Sequence, residues 1–299
     1  MGSKALGLRC LAEMHDLNPQ SIKGIVTIDD SDDIRSELGE FKKFAKDKNL
    51  NLHIVKNNKE TESIIKTISP DICFVVGWYR IIKKGTLEAV PGGFLGIHHS
   101  LLPKYRGGSP LVWAMINGEK SVGTSLFSFT EGMDEGDIWA QEEVAVGDND
   151  YISDILVRLE EKAIAILREK YTDILDGKLK PRSQNHNEAT FCSSRTPDDG
   201  LIDWNKNAKE IYDFIRAQSE PYPGAFTFLD GKKLVIWRTR PDNRIYYGRP
   251  GQVAERSADS VSVICGDNRP ITLETVGLDG VKYPAGEIVK SIKTRLGNQ

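Results

Sequence analysis

The chain has 299 residues, which is long enough for one large domain or two of ordinary size. Its 40 basic and 43 acidic residues leave a net charge of −3, and this balance argues against a polyanion such as nucleic acid as the main partner. None of the four cysteines belongs to a CxxC pair, which favours a reducing compartment. Since no long apolar run and no signal peptide is visible, the sequence predicts a soluble, cytoplasmic protein without a membrane partner.

The amino-terminal residues make an unusual start for an α/β domain. Gly2-Ser3-Lys4 is typical of the turn before a helix, and six apolar residues then share one helical face: Ala5, Leu6, Leu8, Cys10, Leu11 and Met14. A doubly wound domain normally has an apolar strand ahead of such a turn, and here only Met1 precedes it. Either the first strand is missing from this chain or it begins later than the pattern indicates. We expect a gap, or one strand fewer, in the central sheet.

Strands and helices then alternate as far as residue 175. The predicted strands cover residues 25–28, 52–55, 72–76, 94–98, 121–129 and 137–143, and the predicted helices cover 34–48, 59–67, 84–89, 109–118 and 151–175. This alternation predicts an α/β fold with a doubly wound, Rossmann-like domain, parallel strands and right-handed crossovers. No Walker loop or GxGxxG turn follows a strand, and the histidines and cysteines lack metal-ligand spacing, so we predict no metal site.

The last hundred residues have a different texture. A polar, irregular stretch with Pro181 and Pro197 separates them from the alternating part, which predicts a catalytic domain over 1–180, a linker over 181–199 and a carboxyl-terminal domain over 200–299. One helix (207–217) is followed by five short predicted strands, at 225–229, 234–239, 251–254, 260–265 and 271–276. Asp230-Gly231 between two apolar runs is a hairpin signal. Short strands of this kind predict a small β-rich, OB-like barrel.

The most informative segment joins a histidine to an aspartate. The end of the predicted strand at 94–98 and the turn after it read Gly96-Ile97-His98-His99-Ser100-Leu101-Leu102-Pro103. A later loop, Glu131-Gly132-Met133-Asp134, supplies a carboxylate. An imidazole can hold or move a proton near neutral pH, and a carboxylate beside it completes an acid–base pair. We therefore predict that His98 and Asp134 are catalytic. Asp137 is read as a turn residue, and His99 points to the other face of the strand by alternation.

These residues resemble the active-site pattern of the N10-formyltetrahydrofolate-dependent formyltransferases, which is Asn-x-His, Ser-Leu-Leu-Pro-x-x-x-Gly and a later Asp. His98, the Ser-Leu-Leu-Pro run from Ser100, Gly107 and Asp134 match, whereas Gly96 stands where the family has asparagine. The resemblance covers residues from about 2 to about 275. It is strongest to the two-domain branch, which carries an OB-like barrel, and in particular to the formyltransferase that acts on UDP-4-amino-4-deoxy-L-arabinose.

The resemblance implies a role for each part of the pattern. His98 would stabilise the negative charge that develops on the formyl oxygen, and Asp134 would keep the imidazolium charged and accept or relay a proton. The implied binding site for the donor, N10-formyltetrahydrofolate, is formed by Gly77, Trp78, Tyr79, Arg80, Ile81, Ile82, Thr130, Gly132 and Met133. The implied site for the amine substrate is formed by Ser100, Leu102, Pro103, Tyr105, Arg106 and Gly107.

Gly96 is the departure from the family that bears most on activity. The family's asparagine amide gives the formyl oxygen a second hydrogen bond, and losing one such donor typically costs on the order of a hundred- to a thousandfold in rate. A water or another side chain takes its place, or the activity is altered, or the protein is a weak or inactive relative. If water fills the space, we expect the substitution Gly96→Asn to be tolerated.

The function that this sequence predicts is formyl transfer to the amine of a nucleotide-linked amino sugar. The partner is then a small molecule and no nucleic acid, and a homodimer is left open. Three alternatives remain: a methionyl-tRNA formyltransferase, a 10-formyltetrahydrofolate hydrolase, and an inactive binder of folate or sugar nucleotide. The balanced charge favours the small substrate over tRNA.

Overall fold

A computed structural model of the protein describes residues 1–33 and 35–297. The chain divides into two compact units. The first unit contains Met1–Gly107, Val122–Val144 and Arg158–Phe191, and the second contains Gly108–Ser121, Ala145–Val157 and Cys192–Gln299. Each unit is made of three separate stretches of the chain, so that neither boundary at 180 or 200 divides the chain in the same way. The predicted domain boundaries therefore stay predictions. Within the part of the chain that the structure describes, no helix has the length and apolar character needed to cross a membrane.

The predicted alternation of strands and helices is present in the first two thirds of the chain. The elements are, in chain order, α1 (Lys4–Leu17), β1 (Ile25–Ile28), α2 (Leu38–Asp47), β2 (Leu52–Val55), α3 (Asn58–Ile68), β3 (Cys73–Val75), α4 (Lys84–Leu87), β4 (Phe94–His98), β5 (Arg106–Gly107), α5 (Pro110–Ile116), β6 (Ser121–Ser128), β7 (Ile138–Ala145), α6 (Ile152–Leu175) and β8 (Phe191–Cys192). Single turns of 3₁₀ helix lie at Pro19–Ser21, His186–Glu188 and Pro197–Gly200. The predicted start of the second helix at residue 34 falls on a residue outside those described.

The sheet of the first unit is mixed. Strand β1 pairs with β2 in parallel, and β3 pairs with β4 in parallel. Strand β6 runs antiparallel to β4, with His98 opposite Ser125, and β7 lies on the other side of β6. The prediction of parallel strands is therefore wrong at β6. A strand that is buried on both faces has the same apolar pattern in either direction, so that its sequence does not reveal the direction.

The expected gap in the central sheet is present. Among the described residues, β1 and β2 form one sheet, and β3, β4, β6 and β7 form another. The first three residues lie between them: the Gly2 amide donates to the Val26 carbonyl (2.9 Å), and the Val76 amide donates to the Met1 carbonyl (3.1 Å). Helix α1 begins directly afterwards at Lys4. The Ser3 hydroxyl donates to the Gly77 carbonyl (2.5 Å), which fixes the start of this helix to the end of β3.

Helices cover both faces of these strands in the first unit. On one face, Met14 of α1 packs in a cluster with Phe74, Leu95 and Leu167. On the other face, Ile65 of α3 packs in a cluster around Val26, Val55 and Val75. Each such side chain contributes about 1.5–3 kcal/mol on burial. The two clusters pack against the strands whose ends carry the predicted site.

The last hundred residues form α7 (Ala208–Arg216), β9 (Ala225–Leu229), β10 (Lys232–Pro241), β11 (Val253–Arg256), β12 (Val261–Ile264), β13 (Pro270–Leu278), β14 (Val281–Pro284) and α8 (Ala285–Ile288). The strands make one sheet in the order β11-β12-β13-β10-β9, with β14 also paired to β13. The predicted hairpin at Asp230-Gly231 is present, and both residues have positive φ (50° and 76°). Strand β14 was missed because most of its side chains are exposed and leave no apolar alternation.

Candidate active site

The two predicted catalytic side chains lie next to each other in the first unit. His98 ends β4, and Asp134 lies on the loop between β6 and β7. The Nδ1 atom of His98 is 3.7 Å from the Oδ2 atom of Asp134, and the two side chains are 11% and 22% exposed. The pair is thus largely enclosed, with a part of each side chain still exposed to solvent. Asp134 has a φ of 47°, which aspartate and asparagine adopt more readily than most residues.

The loop between Ser100 and Gly107 fixes both members of the pair. The Gly107 amide donates to Oδ2 of Asp134 (2.7 Å), and Nε2 of His98 makes a hydrogen bond with the Tyr105 carbonyl (2.8 Å). Both ring nitrogens of His98 therefore face oxygen atoms. The Tyr105 carbonyl fixes one side of the ring, while Nδ1 faces the Asp134 carboxylate at 3.7 Å, a separation longer than a hydrogen bond.

Serine hydroxyls hold this loop in place. The buried Ser100 hydroxyl donates to the Lys104 carbonyl (2.8 Å), and the Ser125 hydroxyl donates to the Ser100 carbonyl (2.7 Å). The Gln141 side-chain amide donates to the Leu102 carbonyl (3.0 Å). The Ser-Leu-Leu-Pro run therefore makes a braced turn after His98, and its first hydroxyl supports the turn.

Arg106 and Gln184 connect the loop to the backbone around Asp134. Arg106 is 2% exposed, and its Nε and Nη2 atoms donate to Oε1 of Gln184 (3.1 and 2.7 Å). The Gln184 amide nitrogen in turn donates to the carbonyls of Asp134 (2.8 Å) and Gly136 (2.7 Å). Sequence reasoning missed Gln184, because it lies in the polar stretch read as a linker and no spacing relates it to the motif.

The six predicted substrate-binding residues divide into two groups. Ser100, Leu102 and Arg106 are 2–3% exposed, so that their side chains face the protein interior. We infer that these three hold the loop and do not meet a substrate directly. The other three are partly exposed beside the catalytic pair: Pro103, Tyr105 and Gly107.

The predicted donor-binding residues line the carboxyl end of β3 and the loop after β6. Three apolar side chains here are more than half exposed: Tyr79 (58%), Ile81 (82%) and Met133 (56%). Trp78, Arg80 and Ile82 are partly buried, while Gly77 and Thr130 are exposed and Gly132 is partly buried. An ion pair between Lys84 and Glu131 (2.8 Å) ties the two segments together.

Gly77 has a positive φ (68°), and a Cβ atom there would lie 2.3 Å from the Ser3 carbonyl oxygen. Only glycine therefore fits where the chain leaves β3 and passes the start of α1.

An aromatic ring occupies the space that a side chain at position 96 would need. A Cβ atom on Gly96 would lie 2.2 Å from Cε2 of Phe129 and 3.2 Å from the Val75 carbonyl oxygen. The Phe129 ring stacks on Phe127 (centroids 5.1 Å apart), and Phe127 meets His98 edge-on (6.0 Å). Gly96 is not among the residues with positive φ, so the glycine is required for space. The expectation that Gly96→Asn is tolerated is wrong for this arrangement.

His99 follows His98 directly, just beyond the end of β4. Its Nδ1 atom is buried and has no hydrogen-bond partner among residues 1–33 and 35–297. Burial, aided by the nearby His98, lowers the pKa of His99 from its ordinary value of 6.5 to about 4. His99 is therefore neutral at pH 7, and its exclusion from the acid–base chemistry stays a prediction.

We expect His99 to make the protein less stable in acid. The unfolded chain binds a proton at this residue more readily than the folded chain, so stability falls as the pH is lowered from about 6.5 to about 4. The loss at pH 4 should be on the order of 2–3 kcal/mol. Urea unfolding at pH 7.5 and 4.5, compared with the variant His99→Gln, isolates this residue. Equal pH dependence in the two proteins would contradict the assignment.

Comparisons with known proteins agree with this geometry. The family model described as "Formyl transferase" matches residues 18–170, and the model described as "Formyl transferase, C-terminal domain" matches residues 195–292. This chain belongs to the formyl transferase family. The resemblance to the two-domain formyltransferases is thereby confirmed, as is the order of a Rossmann-like formyltransferase domain and a β-rich carboxyl-terminal domain.

Relatives within the formyl transferase family differ in their named activities. The chain is 35% identical over 247 residues to a methionyl-tRNA formyltransferase from Caldanaerobacter subterraneus subsp. tengcongensis, covering 79% of each chain. A methionyl-tRNA formyltransferase structure from Clostridium thermocellum is 27% identical, with a TM-score of 0.55 over 73% of this chain and 93% of that one. An N-formyltransferase structure from Helicobacter canadensis, in complex with folinic acid and dTDP-3-aminofucose, has a TM-score of 0.69 at 18% identity, over 91% and 97%.

Proposed function

We propose that this protein transfers the formyl group of N10-formyltetrahydrofolate to the amine of a nucleotide-linked amino sugar. The observation that carries the proposal is the enclosed pair of His98 and Asp134, 3.7 Å apart, beside three partly exposed residues of the loop after β4. Such a pair can hold a proton near an oxyanion and accept one from an amine. Neither a metal nor a covalent nucleophile is needed for this reaction.

The reaction moves one proton and exchanges one bond. The amine nitrogen attacks the formyl carbon and forms the new C–N bond, while negative charge develops on the formyl oxygen. Protonated His98 stabilises that charge. The C–N10 bond then breaks, and N10 takes up a proton equivalent to the one that the amine gives to Asp134. The separation of Nδ1 and Oδ2 by 3.7 Å is longer than a hydrogen bond, as is common before substrate arrives.

The exposed apolar side chains favour a flat, aromatic donor next to this pair. Tyr79 and Ile81 follow β3, and Met133 precedes Asp134 in the chain. Ligands of α/β sheets bind beyond the carboxyl ends of the strands. A pterin that covers these three side chains would remove their apolar surface from water and bring N10 toward the pair. The folinic acid held by the Helicobacter canadensis relative supports this choice of donor.

The proposal of a sugar nucleotide as the acceptor, in place of tRNA, rests on the charged residues of the second unit. In the second unit, three of the basic residues of the β-rich part are paired with carboxylates: Arg240 with Glu274 (3.1 Å), Arg244 with Asp242 and Glu255 (2.6 and 2.8 Å), and Lys282 with Glu220 (2.5 Å). Cations that are already neutralised contribute little to binding a polyanion such as tRNA. A sugar nucleotide needs only one or two cations. The identity of 35% to a methionyl-tRNA formyltransferase makes transfer to charged initiator tRNA the second candidate.

A direct assay separates the two acceptors. The protein is incubated with N10-formyltetrahydrofolate and either a panel of UDP- and dTDP-linked amino sugars or methionyl-tRNA, and the products are identified by mass spectrometry. We expect formylation of at least one amino sugar and none of the tRNA. The matched controls are the same sugar nucleotides with the amine acetylated, which should not react. Transfer to methionyl-tRNA alone would overturn the proposal in favour of the second candidate.

A further inference from the structure

A buried glutamine between α6 and β8 contacts both loops of the catalytic pair. Gln184 is 5% exposed and belongs to the first unit, as do His98 and Asp134. The residues that follow it, Asn185 to Glu188, are exposed. An amide that is buried in an otherwise exposed segment needs hydrogen bonds inside the protein, because an unpaired amide is costly to bury. The contacts of Gln184 therefore explain why this one side chain points inward.

Every polar atom of the Gln184 side chain has a partner. The Oε1 atom accepts from Nε and Nη2 of Arg106 (3.1 and 2.7 Å). The Nε2 atom donates to the carbonyls of Asp134 (2.8 Å) and Gly136 (2.7 Å). Because a guanidinium only donates and a carbonyl only accepts, the amide has one possible orientation. The side chain thus connects Arg106 to the backbone on which the Asp134 carboxylate is mounted.

Arg106 is itself fixed within the loop after β4. It is 2% exposed, and its backbone amide donates to the Thr190 carbonyl (2.9 Å). The next residue, Gly107, donates its amide to Oδ2 of Asp134 (2.7 Å). The loop after β4 therefore holds Asp134 at two points. Gly107 binds the carboxylate directly, and Arg106 holds the backbone carbonyl through Gln184.

The backbone contact is needed because the Asp134 loop has little else to fix its conformation. Glycine lies on both sides of Asp134, at Gly132 and Gly136, and glycine loses the most conformational freedom when it is ordered. The Oδ2 atom of Asp134 lies 3.7 Å from Nδ1 of His98, so that a small shift of the loop changes this separation by a large fraction. A misplacement of about 1 Å in an active site can lower the rate by on the order of a hundredfold.

From these contacts we infer that Gln184 is a positioning residue for formyl transfer. Its amide holds the backbone of Asp134 so that the carboxylate lies beside His98. Gln184 acts through Asp134 and has no contact with the reacting atoms. The inference rests on the proposed function, because it takes Asp134 as a member of the catalytic pair.

The variant Gln184→Glu separates the two connections of this side chain. The carboxylate still accepts from Arg106 and adds an ion pair, but it cannot donate to the carbonyls of Asp134 and Gly136. We expect kcat to fall on the order of 10- to 100-fold, while the KM for the folate donor changes less than about twofold. Gln184→Leu removes both connections. It should lower kcat by a similar factor but unfold at a lower urea concentration than Gln184→Glu, because Arg106 then loses its buried acceptor.

Gln218→Glu is the matched control, in the second unit. Gln218 is 6% exposed, accepts from Nη2 of Arg195 (2.7 Å) and donates to the Phe214 carbonyl (2.9 Å), so that the chemical change is the same. Turnover should stay near normal in this variant. In an Asp134→Asn background, by contrast, Gln184→Glu should lower kcat further by less than about twofold, since its effect passes through the carboxylate that is already lost.

Amide hydrogen exchange tests the positioning without any turnover. We expect exchange at Gly107, whose amide binds the Asp134 carboxylate, to quicken by roughly tenfold or more in Gln184→Glu. Exchange at Arg106, whose amide is bonded to Thr190, should not change. This result is expected whichever amine is the acceptor, so that failure of the proposed function and failure of this inference are distinguishable. Unchanged exchange at Gly107, equal acceleration at Arg106, a kcat that follows stability across the two Gln184 variants, or full additivity with Asp134→Asn would each overturn the inference.

Discussion

The variants His98→Asn and Asp134→Asn should each lower turnover by roughly several hundredfold or more. His98→Asn removes the imidazole whose positive charge is proposed to stabilise the formyl oxygen, and Asp134→Asn removes the negative charge beside that imidazole. The loss should fall mainly on kcat, because these interactions strengthen only in the transition state. Asparagine is suited to position 134, because it tolerates the positive φ there and can still accept from the Gly107 amide. Steady-state kinetics with the folate donor and the best amine acceptor measure the effect.

Asp137→Asn is the matched control for the carboxylate. Asp137 lies in the same loop, and its backbone carbonyl accepts from the Ser128 amide (2.8 Å), a bond that the substitution retains. Turnover should remain near normal in this variant. A variant at His98 or Asp134 with nearly normal kcat would remove that residue from the catalytic pair. If turnover falls as far in Asp137→Asn as in Asp134→Asn, the rate depends on the conformation of the loop and not on the Asp134 carboxylate.

Substitution of Gly96 should destabilise the protein even when only one methyl group is added. In Gly96→Ala the new Cβ atom would lie 2.2 Å from the Phe129 ring, so that the ring or β4 must shift. Overpacking of this kind typically costs about 1–3 kcal/mol, and Gly96→Asn should cost more. Urea unfolding measures the effect. The control is Gly39→Ala in α2, where a Cβ atom meets nothing within 4 Å and alanine should stabilise the helix.

A double-mutant cycle tests whether Phe129 is the cause. If the ring occupies the space of the family's asparagine, Gly96→Asn should cost less in a Phe129→Ala background than in the unaltered protein. The coupling should exceed about 1 kcal/mol, since the two positions are in direct contact. Additive effects of Gly96→Asn and Phe129→Ala would show that position 96 is limited by something other than this ring.

The sequence was most informative where local pattern and local structure coincide. Apolar periodicity predicted the helices and strands of the first unit to within a few residues, because each element buries one face or both. The turn signal at Gly2-Ser3-Lys4 predicted a gap in the central sheet, and β1-β2 and β3-β4-β6-β7 are separate sheets. The motif around His98 and the later Asp134 predicted two residues that the fold brings to 3.7 Å.

The features that the sequence did not reveal depend on contacts between distant segments. The direction of β6 depends on the path of the chain between His98 and Ser121. The apolar pattern of β6 is the same in either direction and therefore does not predict it. Gln184 supports the Asp134 loop from 50 residues away, and no local motif marks it. The Phe129 ring occupies the space that a side chain at position 96 would need, although Phe129 is distant in the sequence. The sequence around Gly96 therefore does not explain the glycine. Arg106, predicted to meet substrate, is satisfied inside the protein by Gln184.

The most direct test of the central claim is to follow both halves of the reaction at once. Tetrahydrofolate released from N10-formyltetrahydrofolate and formylated amino-sugar nucleotide are quantified in the same samples, with the unaltered protein and with Asp134→Asn. The proposed site predicts that the two products appear in equal amounts and that both nearly vanish in the variant. Release of tetrahydrofolate without any formylated amine, or equal formylation by the variant, would contradict formyl transfer by His98 and Asp134.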